Sequence, residues 1–155
     1  MSGPPVIEST PIKMRVRETV ILRIVGKAIV PFILLFALYV QFHGDYGPGG
    51  GFQAGVIFAA GLILYALIFG LDALRDAVPL AVVETGIALG TLLYGGVGVV
   101  SMLMGGEFLH YGVLDAHDPE HGQHLGILLV ELGVGITVTF VMVAIFYAFA
   151  GRSRR

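Results

Sequence analysis

The sequence predicts an all-α integral membrane protein with four transmembrane helices and both termini in the cytoplasm. Three observations predict it. Only 13% of the 155 residues are charged, against roughly 25% in a soluble domain, while 56% are hydrophobic and the mean hydropathy is +0.88. A chain of this length cannot enclose an interior large enough to hide so much apolar surface from water. The charges stand at intervals that leave long uncharged stretches between them, and all nine Lys and Arg fall on one side of a four-span arrangement. The same arithmetic excludes other classes. Hydrophobicity this high excludes disorder, the absence of Cys excludes a disulfide scaffold, and a net charge of -2 leaves no basic field for nucleic acid.

Taken in order, residues 1–17 form a flexible basic tail on the cytoplasmic side. Within it, Lys13-Met14-Arg15-Val16-Arg17 suits anionic headgroups or a partner surface. The transmembrane domain covers 18–151. Its first span, 20–42, is apolar apart from Arg23 and Lys27, whose long stems reach back to the headgroups. Pro31 is expected to kink this helix or mark a break. The stretch lacks a small-x-small pattern near its end, which counts against a cleaved signal peptide. The second span, 50–71, lies in a charge-free run of 26 residues, 46 to 71. The third, 81–104, overlaps a charge-free run of 22, residues 85 to 106. The fourth, 126–150, carries one acid, Glu131. Each run meets the roughly 20 residues that a membrane helix needs. Residues 152–155 are a basic cytoplasmic end.

Orientation follows from charge. The tail, the cytoplasmic end of the first span with Arg23 and Lys27, the 72–80 loop and the C-terminal end hold all nine basic residues, whereas loops 43–49 and 105–125 hold acids and all five histidines. The positive-inside rule therefore places both termini in the cytoplasm of a multi-pass plasma-membrane protein.

Small residues four apart let membrane helices approach closely. They recur as Gly51, Gly55 and Ala59, as Gly86 and Gly90 with a Gly95-Gly96-x-Gly98 cluster, and as Gly126, Gly133 and Gly135. Glycine is common in membrane helices. Four helices nevertheless offer too few neighbours for so many small faces, so partner subunits are expected.

The string His43-Gly44-Asp45-Tyr46-Gly47-Pro48-Gly49-Gly50-Gly51-Phe52-Gln53-Ala54-Gly55 opens the second span from the outer side. It is not a nucleotide loop, since no Gly-Lys-Ser/Thr follows and no strand precedes it. It reads either as a tight hairpin at a helix start, with Gln53 satisfying loop carbonyls, or as unwound backbone lining a wet cavity. Three ionisable groups are candidates for an ion path. Glu131 lies roughly 7 Å inside the fourth span, Glu84 about one turn inside the third, and His43 at the mouth of the first outer loop. An acid in a span is costly and usually faces protein or water. Each Glu reads equally as a bonded or boundary residue, and because they enter from opposite faces they do not form a relay.

Asp115, His117, Asp118, Glu120, His121 and His124 fill the second outer loop. On a helix the three histidines could share a face and hold a divalent metal. Pro119 and Gly122 argue against a regular helix there, so the stretch reads as a solvated acidic loop. No metal site, cofactor or catalytic residue is expected, and the chain reads as a transporter component rather than an enzyme.

His43-Gly44 followed by Pro48-Gly49-Gly50-Gly51-Phe52-Gln53, opening the second of four spans, resembles the MnhB (MrpB) family, a small-subunit family of the Mrp-type (Mnh or Sha) multisubunit sodium/proton antiporter. Leu129-Val130-Glu131-Leu132-Gly133-Val134 is similar to the same family's pattern in its last span. The resemblance covers roughly residues 20 to 150. It implies an accessory subunit working beside large antiporter-like subunits that carry the proton paths, with sodium ions and protons as cargo. It equally fits the corresponding subunit of a related membrane-bound hydrogenase-type respiratory complex. Read without the family, the residues also allow a self-assembling small ion channel or a metal sensor at the outer histidines. The chain alone looks under-equipped to pump: it has two span-embedded acids, no deeply embedded lysine and no detectable inverted repeat.

Overall fold

A computed structural model describes residues 12–44, 47–115 and 117–152, with side chains from residue 20 onward. Among these residues there are five α-helices and one short 3-10 turn, and no strand. Helix α1 spans Ile12–His43, α2 Gly51–Phe69, α3 Leu71–Ala77, α4 Leu80–Leu103 and α5 Pro119–Arg152; the 3-10 turn is Tyr111–Leu114. Four segments are long and apolar enough to cross a membrane: Val20–His43, Gly51–Phe69, Leu80–Leu103 and Pro119–Arg152. Helices α2 and α4 begin and end within two residues of the second and third expected spans, and α1 ends one residue beyond the first.

The helix ends follow from local chemistry. Pro31 lies inside α1 without interrupting it; proline is tolerated in membrane helices where local adjustment re-satisfies the freed carbonyl. Helix α1 extends back through Lys13–Arg17, while the side chains of those residues and the Ser2–Pro11 stretch lie outside the described residues. Gly70, at φ 104°, stops α2. The connection expected as a loop over 72–80 then folds into α3, which buries Leu71 and Leu74 and exposes Asp72, Arg75 and Asp76. The Pro79 carbonyl accepts from the Val82 and Val83 amides and opens α4.

The fourth span departs most from expectation. Pro119 and Gly122 do not prevent a helix; α5 begins at Pro119, seven residues before the expected start. The reason is an N-terminal cap. Asp118 Oδ1 accepts the Glu120 and His121 amides at 3.1 and 3.2 Å. Pro119 occupies the first helical position, where the missing N–H costs nothing and its fixed φ is already helical. With 34 residues, α5 is about 51 Å long, longer than the ~30 Å hydrocarbon core, so it extends beyond the membrane.

Helices α2 and α5 form the centre of the bundle. Helix α5 packs along both α2 and α4, while α1 packs along α2 and touches α5 lightly. The helices meet on small residues. A methyl group at Gly55 would stand 2.7 Å from the Gly135 carbonyl oxygen, and one at Gly133 would stand 2.9 Å from the Gly90 carbonyl oxygen. Gly86 faces the Phe140 ring, Gly98 the Phe108 ring and Gly126 the Tyr111 ring. Most small faces are thus filled inside the chain, contrary to the expectation that four helices could not use them. Gly95 and Gly96 on α4 are the helical glycines with nothing within 4 Å among the described residues. The tightest apolar core lies toward α3, where Ala59, Leu74, Val83 and Val143 are buried. Hydroxyls inside the spans bond back to their own helix: Thr137 Oγ1 to the Gly133 carbonyl at 2.8 Å and Ser101 Oγ to the Val97 carbonyl at 2.9 Å. Such bonds keep these hydroxyls from facing lipid bare.

Candidate functional site

The hairpin between α1 and α2 is drawn tightly onto the end of α1. The Gly50 amide reaches the Val40 carbonyl at 3.3 Å, the Gly47 amide donates to the His43 carbonyl at 3.1 Å, and Gly50 caps α2. At Gly50 φ is 125°, a region that L side chains rarely adopt and glycine enters freely. Asp45 and Tyr46, in the same hairpin, lie outside the described residues.

The hairpin is closed by α5. A methyl group at Gly44 would stand 2.7 Å from Glu131 Oε2, and one at Gly50 would stand 3.0 Å from Glu131 Oε1. Gly51 lies directly against the backbone carbonyl of Glu131. The Glu131 carboxylate is therefore seated between two glycines of the hairpin while its backbone rests on a third. Beside it opens a recess of about 320 Å³ bordered by Gly49, Gly50, Phe52, Gln53 and Glu131. Because Gly51 begins α2, Glu131 lies level with the mouth of that helix and not at mid-membrane. An acid at the membrane boundary incurs less than the ~2.5–3.5 kcal/mol assigned to the centre of a span.

The other members of the motif divide. Gly55 continues the α2–α5 contact one turn deeper, and Thr139 Oγ1 bridges to its carbonyl at 3.2 Å. Pro48, Phe52 and Gln53 point outward; Phe52 is 64% exposed. Gln53 is exposed and borders the recess.

The three ion-path candidates are not brought together equally. His43 is half-buried at the end of α1, stacks on Tyr39 with ring centroids 5.2 Å apart, and adjoins Gly44, so it shares the hairpin with Glu131. Glu84 is exposed on α4, two residues before Gly86, which faces Phe140. Phe140 is nine residues beyond Glu131, which places the two acids about 16 Å apart along the bundle. What sequence reasoning misses is the union of the glycine hairpin with Glu131. Both lie at the same end of the bundle at similar depth, and that shared level is the signal that could have joined them.

The outer histidines form a different structure from the one considered. His121 Nδ1 lies 3.1 Å from Asp115 Oδ2, and Asp115 Oδ1 accepts the His117 and Asp118 amides at 3.0 and 3.2 Å. The His117 and Asp118 amides, then the His121 ring, hold the Asp115 carboxyl below its ordinary pKa. Among the described residues no group of three or more His, Asp or Glu is arranged to hold a metal ion.

A family model described as a domain related to the MnhB subunit of Na+/H+ antiporter matches residues 21–144. The chain belongs to the MnhB family. A protein of Staphylococcus haemolyticus named "Putative antiporter subunit mnhB2" is 35% identical over 134 residues, which is 85% of this chain and 94% of that protein. Proteins of the same name from Staphylococcus epidermidis and Staphylococcus aureus strain Newman are 32% and 33% identical over the same shares. The matched region runs from α1 into α5, so it contains the hairpin, Glu131, the second and third spans and most of the first and fourth. As an MnhB-family member the chain is a component of a multisubunit membrane transporter, and it has the four membrane-length helices such a component needs.

Proposed function

We propose that this chain is an accessory subunit of a sodium/proton antiporter complex in the plasma membrane, with both termini cytoplasmic. In this reading it is needed for assembly of the complex and contributes Glu131 to the cation path at the outer face. The observation that supports the reading is the seat of Glu131. A carboxylate held at a helix mouth by close glycine backbone, and open to a recess, attracts cations and is fixed in place before one arrives. Glu84 lies at the opposite end of the bundle, so the chain does not carry a continuous row of acids across the membrane. The large antiporter-like subunits expected as partners supply the remaining path. Gly50, Gly51 and Gly55 hold α2 and α5 in the register that positions Glu131, and His43 flanks the same entrance. The nine-to-zero division of basic residues supports the orientation.

The test is Glu131→Gln in the assembled complex, in everted vesicles. Sodium-dependent proton exchange falls at least several-fold while the subunits still co-purify. Exchange at the wild-type rate with intact assembly rejects the cation-path role. Loss of assembly with Glu131→Gln assigns the residue to packing.

A further inference from the structure

At the end of the bundle away from Glu131, a recess of about 430 Å³ is lined by Arg75, Pro79, Leu80, Ala144, Tyr147 and Ala148. Arg75 is the charged residue among them. Its guanidinium carbon stands 5.7 Å above the Tyr147 ring, within range of a cation–π contact. The ring is itself fixed, because Tyr147 is buried and its hydroxyl donates to the Val78 carbonyl at 2.8 Å. Gly151 allows the arginine to lie along α5: a methyl group there would stand 3.3 Å from Arg75 Nη2. The start of α4 borders the same recess, and a helix start presents unpaired N–H groups and the positive end of its dipole. Below the arginine the walls are Leu80, Ala144 and Ala148, on the first turn of α4 and the closing turns of α5. The recess therefore sits where a membrane surface meets its hydrocarbon, with a cationic rim and an apolar floor.

We propose that this recess is a binding site for an anionic phospholipid. The phosphate would lie against Arg75 and the start of α4, with one acyl chain running down the Leu80–Ala148 wall. Arginine suits a phosphate because its planar fork offers paired donors. Stacking on Tyr147 holds that fork in place beforehand. The small side chains of Ala144 and Ala148 leave the room that a chain occupies. Asp72 and Asp76, the neighbours of Arg75 on α3, do not line the recess.

The experiment is native mass spectrometry of the full chain in a non-ionic detergent, titrated with phosphatidylglycerol or with phosphatidylcholine of the same acyl chains. Phosphatidylglycerol is retained about five-fold more strongly, the ratio that ~1 kcal/mol per basic group near a membrane surface gives. Arg75→Gln removes that preference, and Arg75→Lys keeps part of it. Ala148→Phe fills the floor and lowers phosphatidylglycerol retention with the arginine intact. Circular dichroism confirms that each variant is folded. Equal retention of the two lipids by the wild-type chain overturns the proposal, as does an unchanged preference in Arg75→Gln. Competition by glycerol 3-phosphate at the lipid's own concentration assigns the site to a free phosphate ester and overturns it too. So does loss of partner subunits from an Arg75→Gln complex whose lipid retention is unchanged. None of these outcomes depends on Glu131 or on ion exchange.

Discussion

The backbone carbonyl of Glu131 occupies the space in which a side chain at Gly51 would stand. One contact therefore fixes both the start of α2 and the height of the Glu131 carboxylate on α5. Gly51→Ala must separate the two backbones, since no side chain can rotate away to make room. Overpacking of this kind costs about 1–3 kcal/mol. The expected outcome is a lower thermal midpoint for the chain in detergent and a smaller yield of assembled complex. An unchanged midpoint would show that α2 and α5 do not meet here.

Gly95 gives the converse case. Among the described residues, nothing lies within 4 Å of a methyl group built at that position. Gly95→Ala should leave the isolated chain as stable, or raise its stability by up to about 1 kcal/mol through helix propensity. Gly95→Leu should also fold in isolation. If it then fails to co-purify with the other subunits, a partner helix covers this face of α4. If it assembles normally, the face meets lipid.

Gln41 is 5% exposed, and its Nε2 has no hydrogen-bond partner among the described residues. A buried donor left unpaired costs about 1–3 kcal/mol. Gln41→Leu keeps the approximate volume and removes the donor, so it should raise the stability of the isolated chain by about 1 kcal/mol. The readout is the unfolding midpoint in detergent. A fall in the midpoint would mean that the amide is bonded after all.

The Asp115 turn predicts an acid-sensitive outer loop. The carboxyl pKa in the folded chain lies below its ordinary value of 3.8. A depressed carboxyl contributes stability that is fully present above the unfolded pKa and is lost as pH falls through the folded one. Protection factors against hydrogen exchange over residues 110–122 should therefore hold at pH 5 and fall below about pH 4. In Asp115→Asn the step should shrink or vanish. A wild-type loop with the same protection factors at pH 5 and pH 3 would remove the argument.

Composition alone determined that this chain resides in a membrane, and charge spacing determined how many times it crosses. Apolar length and positive charge act residue by residue, so no fold is needed to read them. Hence the bounds of Gly51–Phe69 and Leu80–Leu103 could be marked to within two residues. The cap at Asp118-Pro119-Glu120 was also present in the sequence, and its start signal was outweighed by the reputation of proline as a helix breaker. Other features were decided only by tertiary structure. Glycine carries no side chain, so its sequence position does not say which backbone will fill the space it leaves. That Gly44, Gly50 and Gly51 accept Glu131, 80 residues beyond the last of them, follows from α5 lying antiparallel beside α2 at one height. Arg75 over Tyr147 has the same origin. Two helix ends distant in sequence meet there because the bundle closes, and local sequence holds no record of that closure.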